Sequence, residues 1–424
     1  MTRNLKASVE RALFLCIVTA IGSMGLFATD IYLAALPEMT QIFHCTQAQM
    51  QMSFTTFFLG LALCQFVAGA LADYWGRKRV LVVGLLIFML GSWLCAEAEH
   101  LSEFILYRLI QAIGAGVGSV VFRALIVDRF DKIGAARTFS IVFPIISLSG
   151  AIAPLLGGYL SYFWGWRGSF FFMVVFGGVV LGLALLLLPN LKGNIYVGPR
   201  LTPKQASIRR VRDYFGLITN IEFLGYALVI CTCFCAFRSY TVESPFVFSR
   251  QGYLAEEIGS FYVGLSISYL LGSILARYLS RKMSMHHVLW VGIGFLVFGS
   301  LAMMAATFCF SHSPYAIVLP MCVIAAGNGL LFPIGSAAAL TVVPSALSGS
   351  AAGLMGCLQF LLAALCISHI GDWCQGHAMP MSLFIGLIIL MGLCSYIFLV
   401  HRPSVRRLLS AVEPQTQECK HESR

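Results

Sequence analysis

The sequence predicts an all-α membrane protein of twelve transmembrane helices in two six-helix bundles. Three observations carry that prediction. Of 424 residues, 59% are hydrophobic and only 11% are charged, whereas a soluble domain carries about 25% charged residues. Long apolar runs recur along the chain, and Phe54 to Gly69 and Val80 to Ala96 contain no charge at all. A run of that order, close to the roughly 17–25 residues of a spanning helix, crosses most of a bilayer. Finally, Lys and Arg gather at alternate ends of these runs, the pattern of loops retained on the cytoplasmic side.

The spans fall roughly at 12–36, 47–70, 79–97, 104–126, 136–161 and 167–189, then at 216–246, 257–279, 286–310, 314–338, 347–371 and 379–401. Residues 1–190 form the expected first bundle and 216–402 the second. Between them the linker at 191–215 is rich in Lys, Arg and Pro, and 403–424 is a polar tail. An even span count with basic flanks at both ends places both termini in the cytoplasm. The first apolar run is long and has no small-residue cleavage site, so it is expected to stay as span one.

The net charge of +10 follows from this topology. Arg108 and Arg238 lie inside spans, Arg167 and Arg250 in outward loops, and the other basic residues on or beside the cytoplasmic face. No nucleic-acid motif accompanies them, and none is expected to bind. The 14 cysteines show no metal spacing. Cys231, Cys233 and Cys235 are two apart, which scatters them around a helix. Cys45 and Cys374 fall in outward loops. No metal or cofactor is expected. The chain has no H-E-x-x-H, nucleophile elbow or P-loop and no large domain outside the membrane, which argues against an enzyme, a receptor and ATP-driven export.

Charges within spans mark candidate function, because each costs roughly 2.5–3.5 kcal/mol at a helix centre by insertion scales. Asp30 lies about 9 Å, and Arg108 about 6 Å, below the outer end of its span at 1.5 Å per residue. Similar depth on two helices of one bundle leads us to expect an Asp30–Arg108 pair, either a static tie or a carboxylate whose proton affinity depends on access. Gln111, one turn below Arg108, extends the polar path. Arg238 and Glu243 lie in the outer half of span seven, about 140° apart around the helix, too far to satisfy each other. Two readings stand. Either both snorkel to the outer interface, with Pro245 loosening the helix, or Arg238 enters the cavity between the bundles and favours an anionic substrate, with Phe237 and Tyr240 as aromatic contacts.

Several stretches resemble one family. Gly69-Ala70-Leu71-Ala72-Asp73-Tyr74-Trp75-Gly76-Arg77-Lys78-Arg79 is similar to the G-x-L-A-D-x-x-G-R-K-R loop of major facilitator transporters. A weaker echo, Ala276-Arg277-Tyr278-Leu279-Ser280-Arg281-Lys282, ends span eight and fits a fold of repeated bundles. Thr29-Asp30-Ile31-Tyr32-Leu33-Ala34-Ala35-Leu36-Pro37 resembles the T-D-x-Y-L-P-A-L-P signature of the Bcr/CflA efflux group of drug:proton antiporters. Arg108 to Gly114 resembles R-x-x-Q-G-x-G with Ala112 for a glycine, and Ala153-Pro154 to Gly157-Gly158 resembles the span-five antiporter motif. Trp166 to Phe170, Ser244 to Val247 and Leu358 to Leu362 match further group features.

The resemblance implies the major facilitator fold and a monomeric, proton-coupled exporter in the bacterial inner membrane that moves a small amphipathic molecule. The alternative is a dedicated metabolite exporter, such as a siderophore exporter. From the charges and polar groups within the spans, proton coupling is expected at Asp30 and Arg108, and substrate contacts among Tyr32, Gln111, Arg238, Tyr240, Glu243 and Gln359, although Phe237 to Glu243 departs from the group's pattern before Ser244. Gly69, Asp73, Gly76 and Arg77 are the expected latch on the cytoplasmic side, with Asp73 meeting a helix N-terminus of the other bundle. Pro154, Gly157 and Gly158 are an expected antiporter kink, or else a plain structural one.

Overall fold

The computed structural model describes residues 2–188, 215–310, 312–344 and 347–401, without the side chains of some helix residues, Asp73 among them. The expected linker, except its last residue, and the expected tail lie outside the described residues. Eleven of the helices described are long and apolar enough to cross a membrane. Span one is Thr2–Asp30, continued by the short helices Leu33–Ala35 and Leu36–Ile42. Spans two, three and four are Gln47–Trp75, Arg77–Glu97 and Leu101–Arg129. Lys132–Leu187 follows as one assigned helix. Spans seven to twelve are Ile221–Arg250, Ala255–Leu279, Met285–Cys309, Tyr315–Thr341, Ser348–Cys374 and Ala378–Ser395, the last prolonged by a π-helical turn to His401.

Lys132–Leu187 accounts for the difference between eleven helices and twelve expected spans. Its 56 residues would measure about 84 Å if straight, far more than the roughly 30 Å of a hydrocarbon core. At Gly165 the backbone leaves helical geometry, with φ 66° and ψ 179°. Glycine takes that conformation without a Cβ clash. Here the chain turns back. Just past it, the Arg167 guanidinium donates to the carbonyls of Ala96 and Ala98 at the end of span three. At the far end, Lys78 Nζ donates to the carbonyls of Leu185 and Leu188. Spans five and six are therefore the two arms, 132–164 and 166–187.

Local chemistry sets the other ends. Thr46 and Gln49 form a reciprocal capping box that starts span two. Asp131 and Asn220 accept from the backbone N–H of Gly134 and Phe223 at the starts of spans five and seven. Gly76 ends span two at φ 91°, as expected for the tight turn of the basic loop. That loop, with Phe130–Asp131 and Ser280–Ser284, lies on what is called here the basic face. Thr46, His100, Gly165, Gly252 and Gly376 mark the distal face.

Each bundle has its own apolar core. Residues of the second bundle that join the first core, Val242, Phe246, Ala364 and Ile367, come from the distal halves of spans seven and eleven. Ala34 of span one joins the second core. Small residues let the backbones meet there, as membrane helices without a hydrophobic driving force require. A Cβ on Gly158 would lie 2.7 Å from the carbonyl oxygen of Ala255, and one on Gly259 2.6 Å from that of Pro154. Spans five and eight, from opposite bundles, are thus in backbone contact. The helix keeps helical dihedrals through Pro154 and departs from them at Gly165.

Gly157 explains why span one breaks where it does. After Asp30 the ladder is interrupted, and Ala35 N–H bonds the Tyr32 carbonyl rather than that of Ile31. The released Ile31 oxygen points at Gly157, where a Cβ would sit 1.5 Å from it. No rotamer relieves a clash with backbone. Overpacking of this kind costs about 1–3 kcal/mol or more. Gly157→Ala is expected to lower the thermal unfolding midpoint of the purified protein clearly, whereas Gly182→Ala, with no atom within 4 Å of the added Cβ, is expected to leave it unchanged.

Candidate functional site

Asp30 is the last residue of the first helix of span one. The break that follows frees its side chain to leave the axis of the first bundle. It does not meet Arg108. Its Oδ1 lies 2.5 Å from Nη1 of Arg238 in span seven, and the two side chains are only 5% and 6% exposed. The expected Asp30–Arg108 pair is therefore replaced by one that crosses between the bundles. The neighbouring Thr29 hydroxyl bonds back to the carbonyls of Gly25 and Leu26 in its own helix.

Arg108 is fully buried but solved differently. Its Nη1 donates to the Ala28 carbonyl at 2.9 Å and to Gln111 Oε1. Its guanidinium carbon lies 4.1 Å from the Phe57 ring centre and 4.6 Å from that of Tyr32. Aromatic faces stabilise a cation by their quadrupole, more so away from water. Gln111 passes the network on through Nε2 to Ser92 Oγ at 2.8 Å. Arg108 thus grips the carbonyl two residues before Asp30 and fixes the end of that helix, while its own charge is spread over π-faces.

Both charges of span seven are buried, at 5% exposure for Arg238 and 0% for Glu243. The interface reading of these two residues is overturned. Its cause is a matter of register. The helix extends to Arg250, four residues past the expected end, so each charge sits about one turn deeper than the sequence suggested. Pro245 lies inside this helix without exposing Glu243. The Arg238 guanidinium carbon is 5.4 to 5.9 Å from the ring centres of Phe234, Phe237 and Phe58, and its Nε is buried without a hydrogen-bond partner.

The remaining candidates are all buried. Tyr32 is stacked on Phe54 with centroids 4.9 Å apart, and its hydroxyl is 3.2 Å from Ser53 Oγ. That places it in the packing of the first bundle. Tyr240 lies edge-on to Tyr262 and its buried hydroxyl lacks a partner. Gln359 is buried beside Phe360, whose ring stacks on Phe58 at 5.9 Å across the bundles. Glu243 accepts from Gln47 Nε2 at 2.6 Å, Gln51 Nε2 at 2.8 Å and Gly376 N at 2.9 Å. Gln47 and Gln51 were not singled out from the sequence. Their signal is two amides four apart on one face of an apolar span.

Of the loop residues, Arg77 Nε pairs with Asp128 Oδ2 at 3.1 Å, which ties the loop to the end of span four. A Cβ on Gly69 would meet Val120 at ordinary contact distance, 3.9 Å, so no close approach requires glycine there. The Asp73 side chain lies outside the described residues. Cys45 and Cys374 are free thiols. His369 and Asp372 are exposed.

Among the described residues, the hydrogen bonds joining the bundles, Arg238 to Asp30, Gln47 and Gln51 to Glu243, and Thr55 to the Ala364 carbonyl, lie in the distal half. Together with the span five–span eight contact they close that side. Removing one partner of a buried pair costs about 3–5 kcal/mol, because it strands the other charge. Arg238→Gln is therefore expected to destabilise strongly. Adding Asp30→Asn should recover part of the loss, a non-additivity read by unfolding the four proteins of the cycle under one condition.

Comparison with known proteins agrees with the fold. The chain matches the Major Facilitator Superfamily over residues 13–367. It is 28% identical to the multidrug resistance protein MdtL of Vibrio parahaemolyticus, over 89% of this chain and 92% of that one. It is 22% identical to a bicyclomycin resistance protein homolog of Haemophilus influenzae, over 93% and 98%, and 25% identical to multidrug resistance protein D of Escherichia coli, over 83% and 86%. In fold it is similar to a D-xylose–proton symporter, with TM-score 0.72, 14% identity and coverage of 90% and 96%. It is likewise similar to a bacterial Spinster homolog in an inward-facing, occupied conformation, with TM-score 0.68, 15% identity and coverage of 92% and 96%. The chain is an integral membrane transporter that belongs to the major facilitator superfamily, and the relatives it matches are of the Bcr/CflA efflux type that its signatures resemble.

Proposed function

We propose that the protein exports small amphipathic molecules from the bacterial cytoplasm in exchange for protons, by alternating access. The observation that carries the coupling is the buried Asp30–Arg238 pair across the bundles. The distal face is taken as the outer one and the basic face as cytoplasmic, with both termini cytoplasmic and a monomer in the inner membrane. The state described is then closed to the outside. While Asp30 is ionised and the carrier empty, the pair holds the bundles together and no turnover occurs. Two events break it. A proton neutralises the carboxylate and removes its attraction for Arg238, or a substrate takes the place of one partner. Because both act at the same pair, proton and substrate compete, and the carrier moves one or the other. That competition is the requirement for exchange.

The other elements support this cycle. Arg108 positions the helix end that carries Asp30, through Ala28 and Gln111. Pro154, Gly157 and Gly158 form the seam that seals the outer side. Gly69, Asp73, Gly76 and Arg77 latch the cytoplasmic side in the opposite state. Asp30→Asn is expected to abolish proton-driven uphill export from vesicles while sparing downhill exchange. Uphill export by correctly inserted Asp30→Asn protein at the wild-type rate would refute the assignment.

A second reading concerns the substrate. Arg238 has an unpartnered, buried Nε and three aromatic rings nearby, a setting for a carboxylate-bearing aromatic molecule such as a siderophore-like metabolite. Since Asp30 occupies Arg238, the carboxylate and an anionic substrate exclude each other. In Asp30→Asn the affinity for anionic compounds should rise relative to cationic ones, and adding Arg238→Gln should reverse the gain. Binding measured on purified protein with matched anionic and cationic aromatics decides this. Equal changes for both classes would favour broad drug efflux.

A further inference from the structure

The outer closure contains a second carboxylate that the Asp30 cycle does not use. Glu243 is fully buried and lies five residues beyond Arg238, about 7.5 Å nearer the outer face. It joins three helices. Gln47 and Gln51 reach it from span two of the first bundle, and the Gly376 N–H from the turn into span twelve of the second. All three donors are neutral. We propose that Glu243 is a second proton site, at the outer gate, whose protonation loosens the seam between span two and the turn at Gly376.

The geometry suits a gate. An ionised carboxylate only accepts, and three N–H groups directed at it make charge-assisted bonds of about twice the strength of neutral ones. A protonated carboxyl loses that advantage and must place an O–H among donors. The adjacent Gln51 Oε1 is buried without a partner. It faces Gly371 of span eleven, where a Cβ would lie 2.4 Å away. The amide is thus wedged between the bundles, and a change at Glu243 acts where they touch.

The groups around it are few. Span two presents only the two glutamines. On its own helix, Arg238 is bound to Asp30, while Arg250 donates through Nη1 to His377 Nε2 at 2.9 Å and lies with its Nε against Gly376, its charge near Glu243 without bonding it. Cys374 ends span eleven as a free thiol. Glu38, on the short helix after span one, accepts from Ser161, and Tyr262 of span eight is bonded to Ser244. None of these supplies Glu243 with a direct ionic partner. External acid reaches it before Asp30, so outside protons open the gate and then load the inner site. This second site adds to the one proposed at Asp30 and does not require it.

Two measurements on the full chain in lipid nanodiscs test the proposal. Difference infrared spectra on acidification should show a protonated-carboxyl band that Glu243→Gln loses and Asp30→Asn keeps. Hydrogen exchange, corrected for the intrinsic effect of pH, should accelerate roughly tenfold in segments 44–51 and 371–378 of the wild type on acidification. That is the order expected when a charge-assisted bond becomes a neutral one. In Glu243→Gln exchange should be fast at both pH values. Gln51→Leu removes one donor and leaves the carboxylate in place, and it should move the acid-induced acceleration to higher pH. A carboxyl band indifferent to Glu243→Gln, or an acceleration unchanged by both Glu243→Gln and Gln51→Leu, would overturn the proposal. Loss of the band in Asp30→Asn alone would place the only titrating carboxyl at Asp30 and also overturn it.

Discussion

A charge placed inside a bilayer has to find a partner, and in this protein the partner of Asp30 belongs to the other bundle. Much of the distal half can be understood from that single bond. Span one breaks after Asp30 and so releases the side chain. Arg108 fixes the broken end through the Ala28 carbonyl. Span seven runs on past Pro245 to Arg250, which keeps Arg238 deep enough to be reached. An ion pair of this kind is a poor source of net stability, because desolvation offsets most of the attraction. Its value lies in being conditional. It exists only while Asp30 is ionised, since Arg238 stays charged, and it spans the boundary that a transporter must open.

Around the pair, backbone contact takes over where side chains would hold the bundles apart. Within the first bundle Gly157 admits the freed Ile31 carbonyl, and across the boundary Gly158 and Gly259 bring spans five and eight together. Spans two and eleven meet at Gly371 and Gln51. These contacts add little hydrophobic drive within a membrane, where lipid is as apolar as the core, but they permit dispersion contacts at close range. Such a seam depends on shape, because its closest approaches are to backbone atoms that no side-chain rotation can relieve.

Much of this was legible in the sequence. Apolar runs and basic loops placed the spans, and the tight turn at Gly76 was read from the loop motif. The partner of Asp30 was not. Counting residues from a membrane surface gives the depth of a group, but neither its direction around the helix nor the bundle it faces. Asp30 and Arg108 match in depth, yet the break at residues 31–35 turns one away, and the rings of Tyr32 and Phe57 satisfy the other. Those rings come from separate spans, so no local pattern reveals the cage. For Arg238 and Glu243 the error was one of register. A proline near a span end reads as a terminus, whereas here tertiary packing carries the helix one turn further. Gln47 and Gln51 went unnoticed because isolated amides at a span start look like interface residues.

The central claim is that ionised Asp30 holds the outer side shut through Arg238. Pulsed electron paramagnetic resonance tests it most directly, with spin labels on unnatural amino acids at the exposed distal positions Glu99 and His312, one on each bundle. At neutral pH the wild type should give a single narrow distance distribution, while Asp30→Asn should add a population of longer distances. An Asp30→Asn distribution identical to that of the wild type would contradict the account.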